Sequence, residues 1–266
     1  MLLRTRFAVA LVSFAVIGLE LAMMRILSLR FWYYFASMVI SVALLGFGFS
    51  GTLLTLAQRR IRNRRRFWLS ASAFSVSLGV LFSAWGVQRV PLDVHYLAWS
   101  LRTEWVHILE IEVILLVPFL LAGGFLGLVL MDRSDRVSGH YAANLLGSGA
   151  GALISVLMMS YVSTSFLLLV LAFLCLAGGA ALVEWKDPKA AMGCVFAGVL
   201  WMTAAYCFPS EIQISPYKKL ALERSKPQTK VTHSEEGPLG RIDVVQGPSI
   251  HDAPPGMSLQ NPHAVP

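Results

Sequence analysis

Seven long apolar runs dominate this sequence and most constrain what it can fold into. They occupy residues 7–28, 32–57, 67–87, 108–131, 141–162, 164–184 and 190–208. An α-helix needs about 20 apolar residues to cross the hydrocarbon core of a bilayer, and each run reaches or nearly reaches that length. Only 14% of the residues are charged, whereas soluble domains carry about a quarter. The pattern predicts an all-α membrane protein, a polytopic bundle of about seven transmembrane helices.

The composition of the chain changes where the last apolar run ends. Residues 1–208 form the predicted transmembrane helical module, and residues 209–266 form an extramembrane tail rich in polar residues and proline. The one strand-like run in this tail is IDVV, at 242–245. So few large apolar side chains bury too little surface for a core of their own. We therefore expect a mostly irregular tail that holds one or two β-strands.

The stretch 88–107 between the third and fourth runs is too polar to cross the bilayer. Its interruptions are Asp93, His95, Arg102 and Glu104. It also contains Trp99 and Trp105, and tryptophan is enriched at the membrane–water interface. We predict an interfacial loop or a short helix that lies on the membrane.

Positive charge is concentrated in one short stretch between the second and third runs. It comprises Arg59, Arg60, Arg62, Arg64, Arg65 and Arg66. Between two membrane helices such a stretch determines topology rather than binding nucleic acid. The alternate loops that share a side with it hold twelve of the 22 lysines and arginines, the opposite loops hold four, and the tail holds six. The sequence predicts a cytoplasmic N-terminus in a bacterial-type inner membrane, with the tail on the opposite side after seven crossings.

A few polar residues within the apolar runs are candidates for function. They are Glu20 and Arg25 in the first run, Glu110 and Glu112 in the fourth, and Asn144 in the fifth. Charged groups at membrane depth are costly, so they are paired, near a helix end, or functional. Five residues of separation turn Glu20 and Arg25 away from each other, and we expect each to have another partner. Glu110 and Glu112 are candidates for a proton or cation site, and Asn144 for an interhelical hydrogen bond.

The residue types of familiar catalytic and metal sites are not arranged in their usual patterns. The cysteines, Cys175, Cys194 and Cys207, lie in apolar runs without metal-binding spacing. The glycines of GSGAG (147–151) follow no strand, so they do not form a phosphate-binding loop. We predict no catalytic, cofactor-binding or metal-binding residue in this chain.

Three stretches resemble the membrane-anchored spermidine synthase-like proteins, in which a multi-helix membrane module precedes an aminopropyltransferase-type domain. They are GLELAMMRILSLRF (18–31), YAANLLGSGAGAL (141–153), and residues 214–259, where PLGRIDVV is similar to the first strand of the synthase-like domain. The family often has Asp where this chain has Asn144. The resemblance implies a polyamine-synthesising transferase that uses decarboxylated S-adenosylmethionine in a later Rossmann-like domain. We expect a chain truncated before that domain, and so inactive alone.

This resemblance conflicts with the predicted topology, because adenosyl cofactors are cytosolic and seven crossings place the tail outside. The conflict disappears if 88–107 re-enters the membrane, if one helix is miscounted, or if the domain does not use a cytosolic cofactor. Two other functions remain open. One is an accessory subunit of a larger membrane complex or a homo-oligomer. The other is a small-molecule or proton-coupled transporter that uses Glu20 and Glu110.

Overall fold

A computed structural model describes residues 2–62, 65–131, 134–184, 188–207, 212, 214, 219–237 and 240–248 of the protein. Within these residues the long helices are α1 (Leu2–Arg30), α2 (Tyr34–Arg62), α3 (Arg65–Val87), α4 (Leu101–Leu130), α5 (Ser134–Met158), α6 (Thr164–Leu182) and α7 (Pro188–Tyr206). A short helix, α8 (Lys219–Arg224), precedes the strands β1 (Lys230–Gly237) and β2 (Gly240–Gln246). The predicted all-α bundle with a short β-containing tail is confirmed.

Six helices in the described part of the chain, α1 to α6, are long and apolar enough to cross a membrane. The chain is therefore a multi-pass membrane protein. The apolar part of α7, Ala191–Tyr206, is shorter, and extends about 24 Å along the helix axis. A seventh crossing stays a prediction.

Two helices begin earlier than the apolar runs indicated. α4 begins at Leu101 instead of residue 108, and α5 begins at Ser134 instead of residue 141. A helix satisfies its own backbone hydrogen bonds, so it continues past the hydrocarbon core into the polar interface. Residues 101–107, which we expected in an interfacial loop, thus form the first two turns of α4. Earlier in the 88–107 stretch, Val94–Ala98 is a separate short helix of the 3₁₀ type.

α1 is the central helix of the bundle. It packs against α5, α6 and α2, and α3 and α4 complete the bundle around it. A helix that is buried on several sides must be apolar around most of its circumference. Leu19, Met23 and Ile26 accordingly have no exposed surface. This accounts for the almost unbroken apolar sequence of the first run.

Two glycines bring α5 into backbone contact with α1. Gly147 lies on the backbone of Ala10, and Gly151, one turn further along, lies on the backbone of Phe14. A Cβ atom at either glycine would collide with those backbone atoms. This small-xxx-small spacing is how membrane helices approach closely, since lipid provides no hydrophobic drive for helix association. α1 and α5 therefore run side by side in the same direction.

β1 and β2 form an antiparallel hairpin after the last membrane helix. Its register pairs Ser234 with Asp243 and Glu236 with Arg241. Because side chains alternate along a strand, these four residues share one face of the hairpin. Ile242 lies on the opposite face and is 70% exposed.

Candidate functional site

The two ends of the bundle differ in composition, and the length of α1 gives the distance between them. Arg6 lies against Gly139 at the start of α5, and Arg25 donates a hydrogen bond to the carbonyl of Met159, just after α5 ends. Nineteen residues separate Arg6 from Arg25, about 28 Å along the helix axis, which matches the thickness of the hydrocarbon core. We name these the basic end, at Arg6, and the hairpin end, at Arg25.

Arg25 joins the hairpin to the membrane bundle. Its Nη2 donates to the Oε2 atom of Glu236 at 3.4 Å and to the carbonyl of Gly240 at 3.4 Å. Its Nη1 donates to the carbonyl of Met159, also at 3.4 Å. Arg25 is only 5% exposed, so its partners are protein groups rather than lipid headgroups. A single buried guanidinium therefore connects α1, the turn between α5 and α6, and both strands.

Glu236 and Arg25 belong to a longer series of ion pairs on the inner face of the hairpin. Arg241 lies 3.7 Å from Glu236 and 2.9 Å from Asp243, and Arg224 of α8 lies 3.6 Å from Asp243. The side chain of Asp243 has no exposed surface. Charges of alternating sign thus run from α8 through β2 and β1 to α1. We call Arg224, Asp243, Arg241, Glu236 and Arg25 the ion-pair series.

The protonation of Asp243 reflects these neighbours. Burial alone would raise the pKa of its carboxyl group, but hydrogen bonds from Arg241 and Ser234 and the charges of Arg241 and Arg224 hold the pKa below its ordinary value. Hydrogen bonds and positive charges favour the ionised carboxylate over the neutral acid. Asp243 is accordingly a fixed negative charge within the hairpin at neutral pH.

The connection between α3 and α4 is folded onto the hairpin end. Arg30, in the last turn of α1, donates to the carbonyl of Val90 at 2.9 Å. The backbone N–H of Asp93 donates to the buried carboxylate of Glu104 in α4 at 3.0 Å. Trp99 points outward and is 87% exposed. These bonds hold the 88–100 connection beside the ends of α1 and α3 and the start of α4.

The structure separates the carboxylates that sequence reasoning selected. Glu20 is half-buried on α1, about 7 Å along the axis from Arg25. Glu112 is half-buried on α4, and Glu110 is exposed there. Because Gly86 lies against Ile114, Glu110, about one turn nearer the start of α4, stands just beyond the level at which α3 ends. Within the described residues, no hydrogen bond or ion pair joins these three side chains.

Asn144 makes an interhelical contact. Its Oδ1 atom accepts a hydrogen bond from the hydroxyl group of Ser13 at 2.7 Å, between α5 and α1. This bond lies close to the contact between Gly147 and Ala10. Hydrogen bonds of this kind stabilise the association of membrane helices by roughly 0.6 kcal/mol on average. In this structure Asn144 therefore has a packing role.

The arginines of the second connection lie at the basic end. Arg59, Arg60 and Arg62 belong to the last turn of α2, Arg65 and Arg66 open α3, and Arg64 lies outside the described residues. Arg65 donates to the carbonyl of Leu128, near the end of α4, at 3.1 Å. The start of α3 therefore meets the end of α4, far from the hairpin.

Sequence reasoning selected Arg25 but missed its partners. Glu236, Arg241 and Asp243 carried a signal in their spacing, since Arg241 and Asp243 alternate with Ile242 along a strand-like run. Such alternation usually predicts that the apolar side chains face the protein interior. In the structure the charged side chains face inward instead, because the buried cation on α1 attracts the charged face of the hairpin.

The family resemblance implies an adenosyl cofactor in a later domain, and the described residues do not test that expectation. A Rossmann-like site needs parallel strands and a glycine-rich turn that opens a helix. The sheet in the described part of the chain is a two-stranded antiparallel hairpin. Among the same residues no group of three or more His, Cys, Asp or Glu side chains could hold a metal ion.

Comparisons with known proteins give no relative: no family model, no curated protein and no solved structure matches this chain.

Proposed function

We propose that this chain is the membrane module of a spermidine synthase-like protein and that its bundle holds the start of the extramembrane domain in a fixed position. The resemblance of residues 214–259 supports the identity of the domain. The observation that supports the holding role is the contact of Arg25 with Glu236 and Gly240.

The energetics of Arg25 explain why this contact would fix the hairpin. Removing a charge from water is costly unless the charge is paired and hydrogen-bonded. Arg25 is nearly fully buried, and Glu236 is the carboxylate that lies beside it. Undocking the hairpin would leave a buried cation without its counter-charge, which is strongly unfavourable. The bundle and the hairpin therefore behave as one unit, unlike two domains joined by a flexible linker.

The proposal includes the membrane and the orientation. The basic end carries Arg6 and the Arg59–Arg66 stretch, and loops rich in Lys and Arg stay in the cytoplasm. The N-terminus is cytoplasmic, in a membrane of the bacterial inner type. Membrane-protein partners or a second copy of the chain are compatible with the exposed apolar surface of α7, which includes Phe196 (69% exposed).

Limited trypsin digestion of the reconstituted protein tests the docking. Arg25→Met removes the buried charge and keeps a side chain of similar length, and we expect much faster cleavage after Lys230 and Arg241. Arg89→Met is the matched control, because Arg89 is exposed at the same end and stacks on Trp85, 3.9 Å from the ring centre. Equal cleavage rates in both variants would contradict the docking.

The intact mass of the native protein, extracted from its own membrane, tests the identity of the domain. A mass larger than 29.2 kDa by that of a further domain agrees with the proposal, and an assay of that protein for aminopropyl transfer then separates a transferase from a domain that acts on another small molecule. A mass of 29.2 kDa together with stoichiometric partner proteins favours the accessory subunit instead.

A further inference from the structure

We infer that the hairpin stands on the side of the membrane away from the cytoplasm, so that the domain it begins meets its ligand there and does not use a cytosolic nucleoside donor. The statement about the ligand rests on the proposed function. The position of the hairpin rests on independent geometry, namely the two ends of α1, the path of the 88–100 connection, and the distribution of charged and aromatic side chains.

The first argument is the position of the hairpin on α1. Glu236 and Gly240 contact Arg25, five residues before α1 ends, whereas Arg6 lies one turn from its start. About 28 Å of helix separates the two arginines. The hairpin and the N-terminus are therefore on opposite sides of any bilayer that α1 crosses. This conclusion does not depend on how many times the later helices cross.

The second argument is that the 88–100 connection does not re-enter the bundle. Val90 and Asp93 are bonded to Arg30 of α1 and Glu104 of α4, which both lie at the hairpin end. Exposed tryptophans and tyrosines surround the same end: Trp32, Tyr33, Tyr34, Trp85, Tyr96, Trp99, Trp105 and Tyr161. Such rings mark the level of the membrane–water interface. The connection thus lies at the interface and adds no crossing.

The third argument is the charge at the opposite end. The start of α1, the last turn of α2 and the start of α3 lie at the basic end, and they carry Arg4, Arg6, Arg59, Arg60, Arg62, Arg65 and Arg66. Positive charge at short loops close to membrane helices is retained in the cytoplasm. The hairpin end then faces outward. Re-entry and a miscounted helix are both excluded as ways of placing the domain in the cytosol.

This position limits the chemistry of the proposed domain. In aminopropyl transfer an amine nitrogen attacks the carbon next to a sulfonium, the carbon–sulfur bond breaks, a thioether nucleoside leaves, and the nitrogen loses a proton. The sulfonium donor is a charged nucleoside made in the cytosol, and charged groups do not cross the hydrocarbon core readily. Outside the cytoplasm the transfer has no donor. The domain therefore acts on, or binds, a small molecule that is present on that side.

Labelling of single cysteines in spheroplasts tests the inference. In a full-length chain with Cys175→Ala, Cys194→Ala and Cys207→Ser, a membrane-impermeant maleimide is applied to Glu235→Cys on the outer face of the hairpin, where the side chain is 76% exposed. Tyr96→Cys, in the connection, and Arg4→Cys, at the basic end, are the matched positions. We expect the first two to react in spheroplasts, and Arg4→Cys to react only after permeabilisation.

Each other result overturns the inference. Reaction of Glu235→Cys only after permeabilisation would place the hairpin in the cytoplasm. Reaction of Tyr96→Cys and Glu235→Cys from opposite sides would mean that the connection re-enters, and reaction of all three in spheroplasts would place both ends of α1 on one side. If the cysteine-free chain does not insert, trypsin applied to spheroplasts of the Arg25→Met variant must cleave after Lys230. The digestion of Arg25→Met decides the docking separately, so failure here would overturn the proposed orientation and leave the docking of the hairpin intact.

Discussion

The guanidinium of Arg25 in the first membrane helix lies 3.4 Å from the carboxylate of Glu236 in the C-terminal hairpin, 211 residues further along the chain. Glu236 also lies 3.7 Å from Arg241 on the neighbouring strand, so it links the hairpin's own ion pairs to the membrane helix. The arginine is buried at the end of the apolar segment of α1, and the glutamate keeps 22% of its side-chain surface exposed. The pair is therefore a long-range connection between the membrane bundle and the extramembrane tail.

Glu236→Gln is expected to loosen the hairpin while the helices stay folded. The substitution leaves the buried guanidinium without a counter-charge, and removing one partner of a buried ion pair costs about 3 kcal/mol. We expect this loss of stabilisation to appear as faster hydrogen–deuterium exchange of the amides of β1 and β2, with unchanged protection in α1. Exchange that is equally slow in both proteins would mean that the pair contributes little to docking.

Glu235→Gln is the matched control for this measurement. Glu235 is adjacent in sequence and has the same charge, but its side chain is 76% exposed and its partner across the hairpin is Ile242. Exposed ion pairs contribute about 0–1 kcal/mol. We expect little change in exchange, which would separate the effect of the buried pair from the loss of net charge.

Two glycines in one helix are expected to respond to the same substitution with opposite signs. Gly147→Ala places a Cβ atom on the backbone of Ala10, whereas Gly149→Ala places one in open space. Overpacking costs about 1–3 kcal/mol, and alanine gains up to about 1 kcal/mol over glycine in helix propensity. Thermal unfolding in detergent should therefore show a lower Tm for Gly147→Ala and an equal or higher Tm for Gly149→Ala. The same sign for both would argue against backbone contact between α1 and α5.

The helices were predictable from the sequence because the bilayer imposes a minimum apolar length on each one. Their ends were less predictable, as α4 shows. Arg102 and Glu104 lie before its apolar run begins, yet both belong to the helix. The apolar composition of a run indicates where the hydrocarbon core of the bilayer ends, whereas a helix ends where its backbone is capped or turned. The same limit applied to α5, which begins seven residues before its apolar run.

The site was predictable only in part, since a sequence does not state which distant residues meet. Arg25 was a candidate because a cation within an apolar run needs a partner. The identity of that partner depends on the packing of α1 against α5 and on the register of a hairpin that follows the last membrane helix. The inward charged face of β2 also reverses the usual pattern, because Asp243 is buried while Ile242 is exposed.

The hairpin is expected to lose order at acidic pH. The neighbouring arginines hold the pKa of Asp243 below its ordinary value of 3.8, so the folded hairpin binds this proton less readily than the unfolded chain does. The stabilisation is therefore complete above about pH 4–5 and is lost as the pH falls through the lower, folded pKa. A spin label on Val244→Cys, on the exposed face, should become mobile over the pH range in which this stabilisation is lost. Asp243→Asn should remove this transition, and a transition that persists in the variant would belong to another group.

Neutralising the arginines between α2 and α3 is expected to disturb the topology of the chain. Replacement of Arg59, Arg60, Arg62, Arg64, Arg65 and Arg66 by glutamine removes half of the twelve positive charges assigned to the cytoplasmic side. The remaining bias toward that side, six charges against four on the opposite loops, is too small to fix orientation strongly. Reporter fusions after Arg30 and after Leu130 should then give mixed signals, whereas the unchanged protein gives one orientation. Glutamine in place of Arg89 and Arg102, on the opposite side, is the control, because it increases the bias and should leave the signals as they are.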